Sequence, residues 1–154
     1  MAIPVNGGGG FIWGTAATAI PTTGSASYNL LGATAVTADD GSLAPGNVKS
    51  ASLVVNFATA KVGMNATMGL GGADYALSSG GEPATPGMAF DTLGIFLGSG
   101  TVTGNGCTDT TCTARINGFL AGSGASHAGA AFTFTTPGTG GTKVSGAVAF
   151  AKAP

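Results

Sequence analysis

The sequence predicts an all-β fold, an antiparallel barrel of about eight strands. Apolar and polar residues alternate along most of the chain, turn residues recur between the alternating segments, and no amphipathic helical stretch competes. Antiparallel strands with one apolar face form either a sandwich or a closed barrel. The closed barrel is favoured, because only 7% of the 154 residues are charged and charges are a main protection of free sheet edges.

Charge composition excludes several classes of protein. The chain carries five basic and six acidic residues, for a formal net charge of -1. Five basic residues cannot form the surface that neutralises nucleic-acid phosphates, so a nucleic-acid-binding protein is excluded. No apolar run reaches the roughly 18 residues of a membrane-spanning helix, so the protein is not expected to span a membrane.

The clearest alternation lies in two neighbouring segments, residues 50–57 and 61–70. We expect them to form a hairpin with one buried and one solvated face. The residues predicted to be buried are Ala51, Leu53, Val55, Phe57, Val62, Met64, Ala66, Met68 and Leu70.

Shorter patterns predict the remaining strands, over residues 11–15, 26–30, 75–77, 90–97, 113–120, 130–135 and 144–150. Within residues 90–97, Ile95, Phe96 and Leu97 are apolar on both parities, which predicts burial on both faces or a β-bulge. The clusters Asp39-Asp40-Gly41 and Gly104-Asn105-Gly106 predict turns. Residues 1–10, with four consecutive glycines, are expected to be a flexible linker or start segment, and residues 11–154 a single barrel domain.

The barrel interior is expected to be filled by side chains. Trp13 and Tyr28 are predicted to fill a barrel end, although a stacking pair for a ligand is an alternative. Six further bulky side chains are predicted to fill the core: Phe57, Met64, Met68, Phe132, Phe134 and Phe150.

The two cysteines, Cys107 and Cys112, have four residues between them. A disulfide across a hairpin turn is the favoured interpretation, with free thiols or a metal site that includes His127 as alternatives. A disulfide would place the protein in an oxidising compartment, which is the periplasm, the cell surface or the medium.

The titratable residues predict no enzyme, no cofactor and no metal site. His127 has Ser123 and Ser126 beside it, but Ser126 and His127 would point apart on a strand and no acid is close in sequence, so we expect a loop or rim histidine. Asp91 is predicted to pair with Arg115 across strands. The other carboxylates are predicted to lie in turns, in loops or at the start of a strand: Asp39, Asp40, Asp74, Glu82 and Asp109.

Glycine-rich segments occur at residues 7–10 and 138–143. The first lacks the Lys-Ser/Thr ending of a phosphate-binding loop, and the second joins two predicted strands with no helix to follow. Turn or linker roles are therefore predicted for both segments.

Two parts of the sequence resemble known barrel modules. The segments Asn117-Gly-Phe-Leu-Ala-Gly122 and Val144-Ser-Gly-Ala-Val-Ala-Phe150 are similar to the closing motif of transferrin-binding protein B-like barrels. Trp13-Gly-Thr15 and Tyr28-Asn-Leu-Leu-Gly-Ala-Thr34 resemble the barrel module at the C-terminus of some FecR-domain proteins of proteobacteria, and the cysteine pair fits that group. The resemblance implies an eight-stranded, up-and-down, lipocalin-like barrel in an exported protein of the bacterial surface or outer membrane, or in a secreted one.

These observations together predict a non-catalytic binding or interaction module with an unassigned protein or small-ligand partner. Transferrin capture is not carried over, because the loops that perform it have no match in this sequence. Function is expected on loops at a barrel end, chiefly residues 38–48, 80–87 and 105–113. The alternative is a self-assembling structural subunit of a surface layer or filament, because low charge and Gly/Ala-rich outer faces would allow close packing of copies.

Overall fold

The computed structural model describes residues 4–80, 87–107, 112–137 and 141–154, and within these ranges every regular element is a β-strand. Two short strands, β2 (Thr37–Ala38) and β6 (Met88–Ala89), pair with β10 and β4. The eight longer strands are β1 (Ser25–Ala33), β3 (Asn47–Asn56), β4 (Lys61–Leu70), β5 (Ala73–Ser78), β7 (Ile95–Thr103), β8 (Thr113–Ala121), β9 (His127–Thr135) and β10 (Lys143–Lys152).

The eight longer strands form a closed barrel. Each pairs antiparallel with the next long strand along the chain, and β1 pairs with β10 to complete the ring. This confirms the predicted fold class, an all-β antiparallel eight-stranded up-and-down barrel. None of the described residues forms a helix long and apolar enough to cross a membrane.

The interior is packed with side chains, as the alternation predicts. All five inward residues predicted on β4 are buried, and the six predicted core side chains are at most 6% exposed. Inside the barrel, the Tyr28 hydroxyl donates a hydrogen bond to the carbonyl oxygen of Ala125 at 2.6 Å. Burial raises the pKa of Tyr28 to about 12.

Connections at the two barrel ends follow from the strand order. The β1–β3, β4–β5, β7–β8 and β9–β10 connections share one end, and the β3–β4, β5–β7 and β8–β9 connections share the other. The predicted functional loop at residues 38–48 therefore shares one end with residues 105–107 and 112–113 of the second predicted loop, whereas residues 80 and 87 of the third belong to the opposite end. Residues 81–86, 108–111 and 138–140 lie outside the described residues, and with them Glu82 and Asp109.

Cys107 and Cys112 form a disulfide in the β7–β8 connection, as predicted, and both residues are buried. The predicted turn at Asp39-Asp40-Gly41 is also present, where Asp40 Oδ1 accepts a hydrogen bond from the Ser42 backbone N–H. Hydrogen bonds from Ser42 lower the pKa of Asp40.

The predicted strand over residues 11–15 is wrong, because these residues lie on the outside of the barrel. A closed barrel has no free edge to which a further strand could be added. Trp13 is consequently 86% exposed, not packed at a barrel end, and only Tyr28 of the predicted pair is in the core.

The predictions for residues 90–97 also need correction. Asp91 Oδ1 accepts hydrogen bonds from the backbone N–H groups of Leu93 and Ile95, so this segment turns and β7 begins only at Ile95. The β7–β8 ladder has no bulge, and Ile95 and Leu97 face outward, 49% and 70% exposed.

The predicted ion pair between Asp91 and Arg115 is absent. Ladder pairing places Arg115 opposite Ser99, whereas Asp91 lies four residues before the first residue of β7. Among the described residues the ion pair present is Lys49–Asp74, at 2.6 Å between Nζ and Oδ1.

Candidate binding surface on the outer wall

Residues 7–18 form a strap that crosses the outside of the barrel. Isolated β-bridges join Gly7 to Ala38 near one end, and Ala16 to Ala121 near the other. The Ala17 backbone N–H also donates to the carbonyl of Leu120 at 3.0 Å. Between these anchors, the backbone of residues 9–15 makes no hydrogen bond to any described residue. The strap is therefore fixed at its ends and held in its middle by packing.

Small residues allow the strap to lie close to the barrel. A Cβ atom at Gly10 would collide with the backbone of Gly146 and Ala147, so only glycine fits there. A Cβ atom on Gly129 of β9 would come within 3.0 Å of Ile12 Cδ1. Glycine in the strap, opposite β10, and glycine on the outward side of β9 thus leave the space in which the strap lies.

The strap presents alternate residues to the barrel and to solvent. Gly10, Ile12 and Gly14 face the wall, because each lies against atoms of the barrel strands. Phe11 and Trp13, which lie between them, are 75% and 86% exposed. This period of two is that of an extended chain.

Two of the grooves beside the strap are lined by most of the exposed large apolar side chains. The larger, about 710 Å³, is lined by residues of the strap, β7, β8 and β9, including Ile95, Leu97 and Phe119. The smaller, about 310 Å³, lies on the side of β10 and β1 and includes Trp13, Leu31 and His127. We call the strap together with the residues that line these two grooves the apolar wall.

The apolar wall concentrates the exposed apolar side chains of the described chain. The described residues include seven large apolar side chains that are exposed to solvent. Five of these seven line the two grooves: Phe11, Trp13, Leu31, Ile95 and Leu97. Neither groove is lined by an Asp, Glu, Lys or Arg side chain, and Asn117 and His127 supply side-chain polar atoms. Such a surface favours contact with an apolar, uncharged partner.

His127 lies at the rim of the smaller groove as the first residue of β9. Ser126 Oγ is 3.0 Å from His127 Nδ1, so the expectation that the two side chains point apart is wrong. Strand alternation does not apply to Ser126, because it precedes β9 and follows Ala125, which has a positive φ of 54°. Over the described ranges, no three His, Cys, Asp or Glu residues are grouped so that they could hold a metal ion.

The apolar wall was not predicted from the sequence. One feature of the sequence could have indicated it: the outward positions of β9 and β10 include the small residues Gly129, Ala131, Ala147 and Ala149. Polar residues would be expected there if the barrel surface faced only water.

No protein-family model matches the sequence, and no curated protein matches it. Among solved structures, the chain is similar to a tryptophan-to-alanine mutant of the vaccine antigen Transferrin Binding Protein B from Haemophilus parasuis Hp5, with a TM-score of 0.52 and 13% sequence identity. The similarity covers 86% of this chain but 27% of that chain, so the present chain spans little more than a quarter of that protein's length. At this identity the likeness concerns the fold alone, which is a barrel like that of transferrin-binding protein B.

Proposed function

We propose that this chain, a barrel of the kind found in transferrin-binding protein B, is a non-catalytic protein-binding module of an exported bacterial surface protein. The observation that carries the proposal is the grouping of Phe11, Trp13, Leu31, Ile95 and Leu97 around two grooves. Contiguous exposed apolar surface typically marks interaction sites, and aromatic residues dominate the binding energy of many interfaces.

Binding on the wall is favoured over binding inside the barrel. The interior positions hold fully buried bulky side chains, among them Tyr28, Phe96, Phe132 and Phe150. A small ligand in the lumen would have to displace these side chains and forfeit their packing.

Binding on the wall is also favoured over the loop at residues 38–48. The exposed residues of this loop include Asp39, Asp40, Ser42 and Pro45, which are small or polar. We propose that the wall supplies most of the binding energy, while loops at that barrel end contribute to selectivity.

Two observations support an extracytoplasmic location. A buried disulfide between Cys107 and Cys112 persists most readily in an oxidising compartment. The similar solved structure is that of a vaccine antigen. Attachment to a FecR-domain protein remains a proposal that rests on the motif at residues 13–34.

The proposal is tested by comparing partner capture by three immobilised proteins: wild type, a Phe11→Ser/Trp13→Ser variant, and a Val5→Ser control. Val5 is 87% exposed and lies outside both grooves, so its replacement removes exposed apolar surface without altering the wall. Proteins retained from a bacterial extracytoplasmic fraction are identified, purified and titrated against each variant.

A purified partner that binds wild type and the Val5→Ser control, but binds the double variant at least about 30-fold more weakly, would support the proposal. Equal binding to all three proteins would contradict it. A hydrolytic activity abolished by His127→Ala would contradict the non-catalytic assignment.

A further inference from the structure

We infer that His127 makes binding at the apolar wall dependent on pH, because the neutral ring admits an apolar partner and the protonated ring weakens its binding. The inference rests on the proposed function, since it names the regulation of the surface proposed there.

The first support is the position of the imidazole. His127 lines the groove of about 310 Å³ together with Trp13 and Leu31. It is the single histidine of the chain, and the single titratable side chain among the residues that line the two grooves. Histidine is the side chain whose charge ordinarily changes between pH 5 and 8. As the pH falls through this range, an uncharged wall therefore gains one positive charge.

The second support is the fixed orientation of the ring. The backbone of His127 is paired on both sides, with Ala121 of β8 and with Ala151 of β10. On the ring itself, Nδ1 lies 3.0 Å from Ser126 Oγ. A hydroxyl can donate a hydrogen bond to the neutral ring and accept one from the protonated ring. Protonation thus changes the charge at the groove without requiring the ring to leave it.

The third support is that the elements packed against His127 supply no counterion. The strap, β1, β9 and residues 122–126 contain no charged residue. On β8, Arg115 lies six residues before Ala121, at about 20 Å along the strand. On β10, the charged residues are Lys143 and Lys152. All the charged groups on these elements are therefore basic and cannot stabilise a protonated ring.

The remaining charged groups near this barrel end are already engaged. Lys152 follows the partner of His127 on β10, and its Nζ lies 5.7 Å from the centre of the Phe57 ring. Asp91 is the described carboxylate of this end, in the β5–β7 connection, and its Oδ1 accepts hydrogen bonds from the backbone N–H groups of Leu93 and Ile95. Neither side chain lines the grooves of the wall.

The energetic consequence follows from desolvation. An apolar partner that covers the groove removes water from the ring of His127, and a charge that loses its water without gaining a partner costs more than a neutral polar group does. Acid should therefore weaken binding. By linkage, binding of the partner favours the neutral ring and releases a proton.

The test uses Nile red, a neutral apolar dye that emits more strongly in apolar surroundings, with the whole chain at pH 5 and at pH 8. The measured quantity is the ratio of the two dissociation constants within each protein, so a change in absolute affinity does not enter. Wild type should bind about three- to tenfold more weakly at pH 5. The ratio should be close to one both for His127→Gln, which is always neutral, and for His127→Lys, which is always charged. The Phe11→Ser/Trp13→Ser variant measures how much of the dye binds at the wall.

The outcomes separate this inference from the proposed function. Dye binding that needs Phe11 and Trp13 but is equal at both pH values would overturn the inference and leave the binding surface in place. A pH dependence that persists in His127→Gln would overturn it as well. Dye binding that is unaffected by the loss of Phe11 and Trp13 would contradict the proposed function, and the inference with it.

Discussion

Two sectors of the outer barrel surface differ in chemistry although they cover the same kind of core. On the outward side of β3, β4 and β5, a shallow groove of about 320 Å³ includes Ser50, Ser52, Asn65, Thr67 and Ser78. On the apolar wall, a groove of nearly equal size, about 310 Å³, includes Phe11, Trp13 and Leu31.

The two sectors differ in the interactions that their side chains can make. Polar side chains of the first sector bond with each other and with water, as Ser50 Oγ and Thr67 Oγ1 do at 2.6 Å. Water solvates the aromatic rings of the second sector poorly, so contact with an apolar surface is favourable for them. Comparable concavity therefore does not identify the candidate site, whereas the chemistry of its lining does.

The largest expected effect on stability distinguishes a side chain of β7 that points into the barrel from its neighbour on the outer surface. Phe96 is 1% exposed and its neighbour Leu97 is 70% exposed on the same strand. Phe96→Ala should lower the free energy of unfolding by about 3–5 kcal/mol, because it leaves a cavity in the core. Leu97→Ala should change it by less than about 0.5 kcal/mol. Urea denaturation measures both values, and equal losses would contradict the assigned directions of these side chains.

The next effect concerns the strap. Gly10→Ala should cost up to about 3 kcal/mol or detach the strap, because the added Cβ meets the backbone of β10. Gly9→Ala is the matched control, since nothing lies within 4 Å of a Cβ there. Limited proteolysis should cleave residues 9–15 faster in the first variant only. Equal cleavage rates would show that the strap does not pack as described.

A smaller effect on stability is expected at the barrel end that carries the β7–β8 connection. Reduction of the Cys107–Cys112 disulfide, whose cysteines are five positions apart, should cost about 2 kcal/mol by the loop-entropy argument. The apolar wall should not change, because the disulfide lies in the β7–β8 connection and not in either groove. Unfolding experiments with and without reductant measure the loss, and an altered affinity of the wall on reduction would contradict the separation of the two regions.

The smallest effect, up to about pH 11, is a pH dependence of stability from Tyr28, whose side chain is buried on the inner face of β1. The pKa of Tyr28 is raised from 10.0 to about 12, so between these values the unfolded chain loses the proton while the folded chain retains it. This contribution is fully present below pH 10 and is lost as the pH rises, at about 1.4 kcal/mol per pH unit. Tyr28→Phe should remove this slope from urea denaturation measured at a series of alkaline pH values. An unchanged slope would contradict the burial of the phenol.

Residues whose environment depends on a single strand were predictable from the sequence. Alternation identified Val62, Met64 and Met68 as core residues, because on one strand the inward side follows from parity alone. The spacing of Cys107 and Cys112 was sufficient to favour the disulfide that the structure contains.

Residues of the candidate surface depend on how the whole sheet closes, and parity alone could not place them. The segment at residues 11–15 has the pattern of a strand, and only closure of the barrel excludes it from the sheet. Apolar residues on both faces of β7 are equally compatible with double burial and with an exposed apolar surface. Asp91 and Arg115 illustrate the same limit, since their separation depends on where β7 begins.

The fluorescence of Trp13 tests the central claim most directly, because Trp13 is the single tryptophan of the chain and is 86% exposed on the wall. We predict the emission of a water-exposed indole in dilute solution, and a shift to shorter wavelength when another protein binds. Emission typical of a buried indole in the dilute monomer, or no shift when a complex forms, would contradict the assignment of the apolar wall as the binding surface.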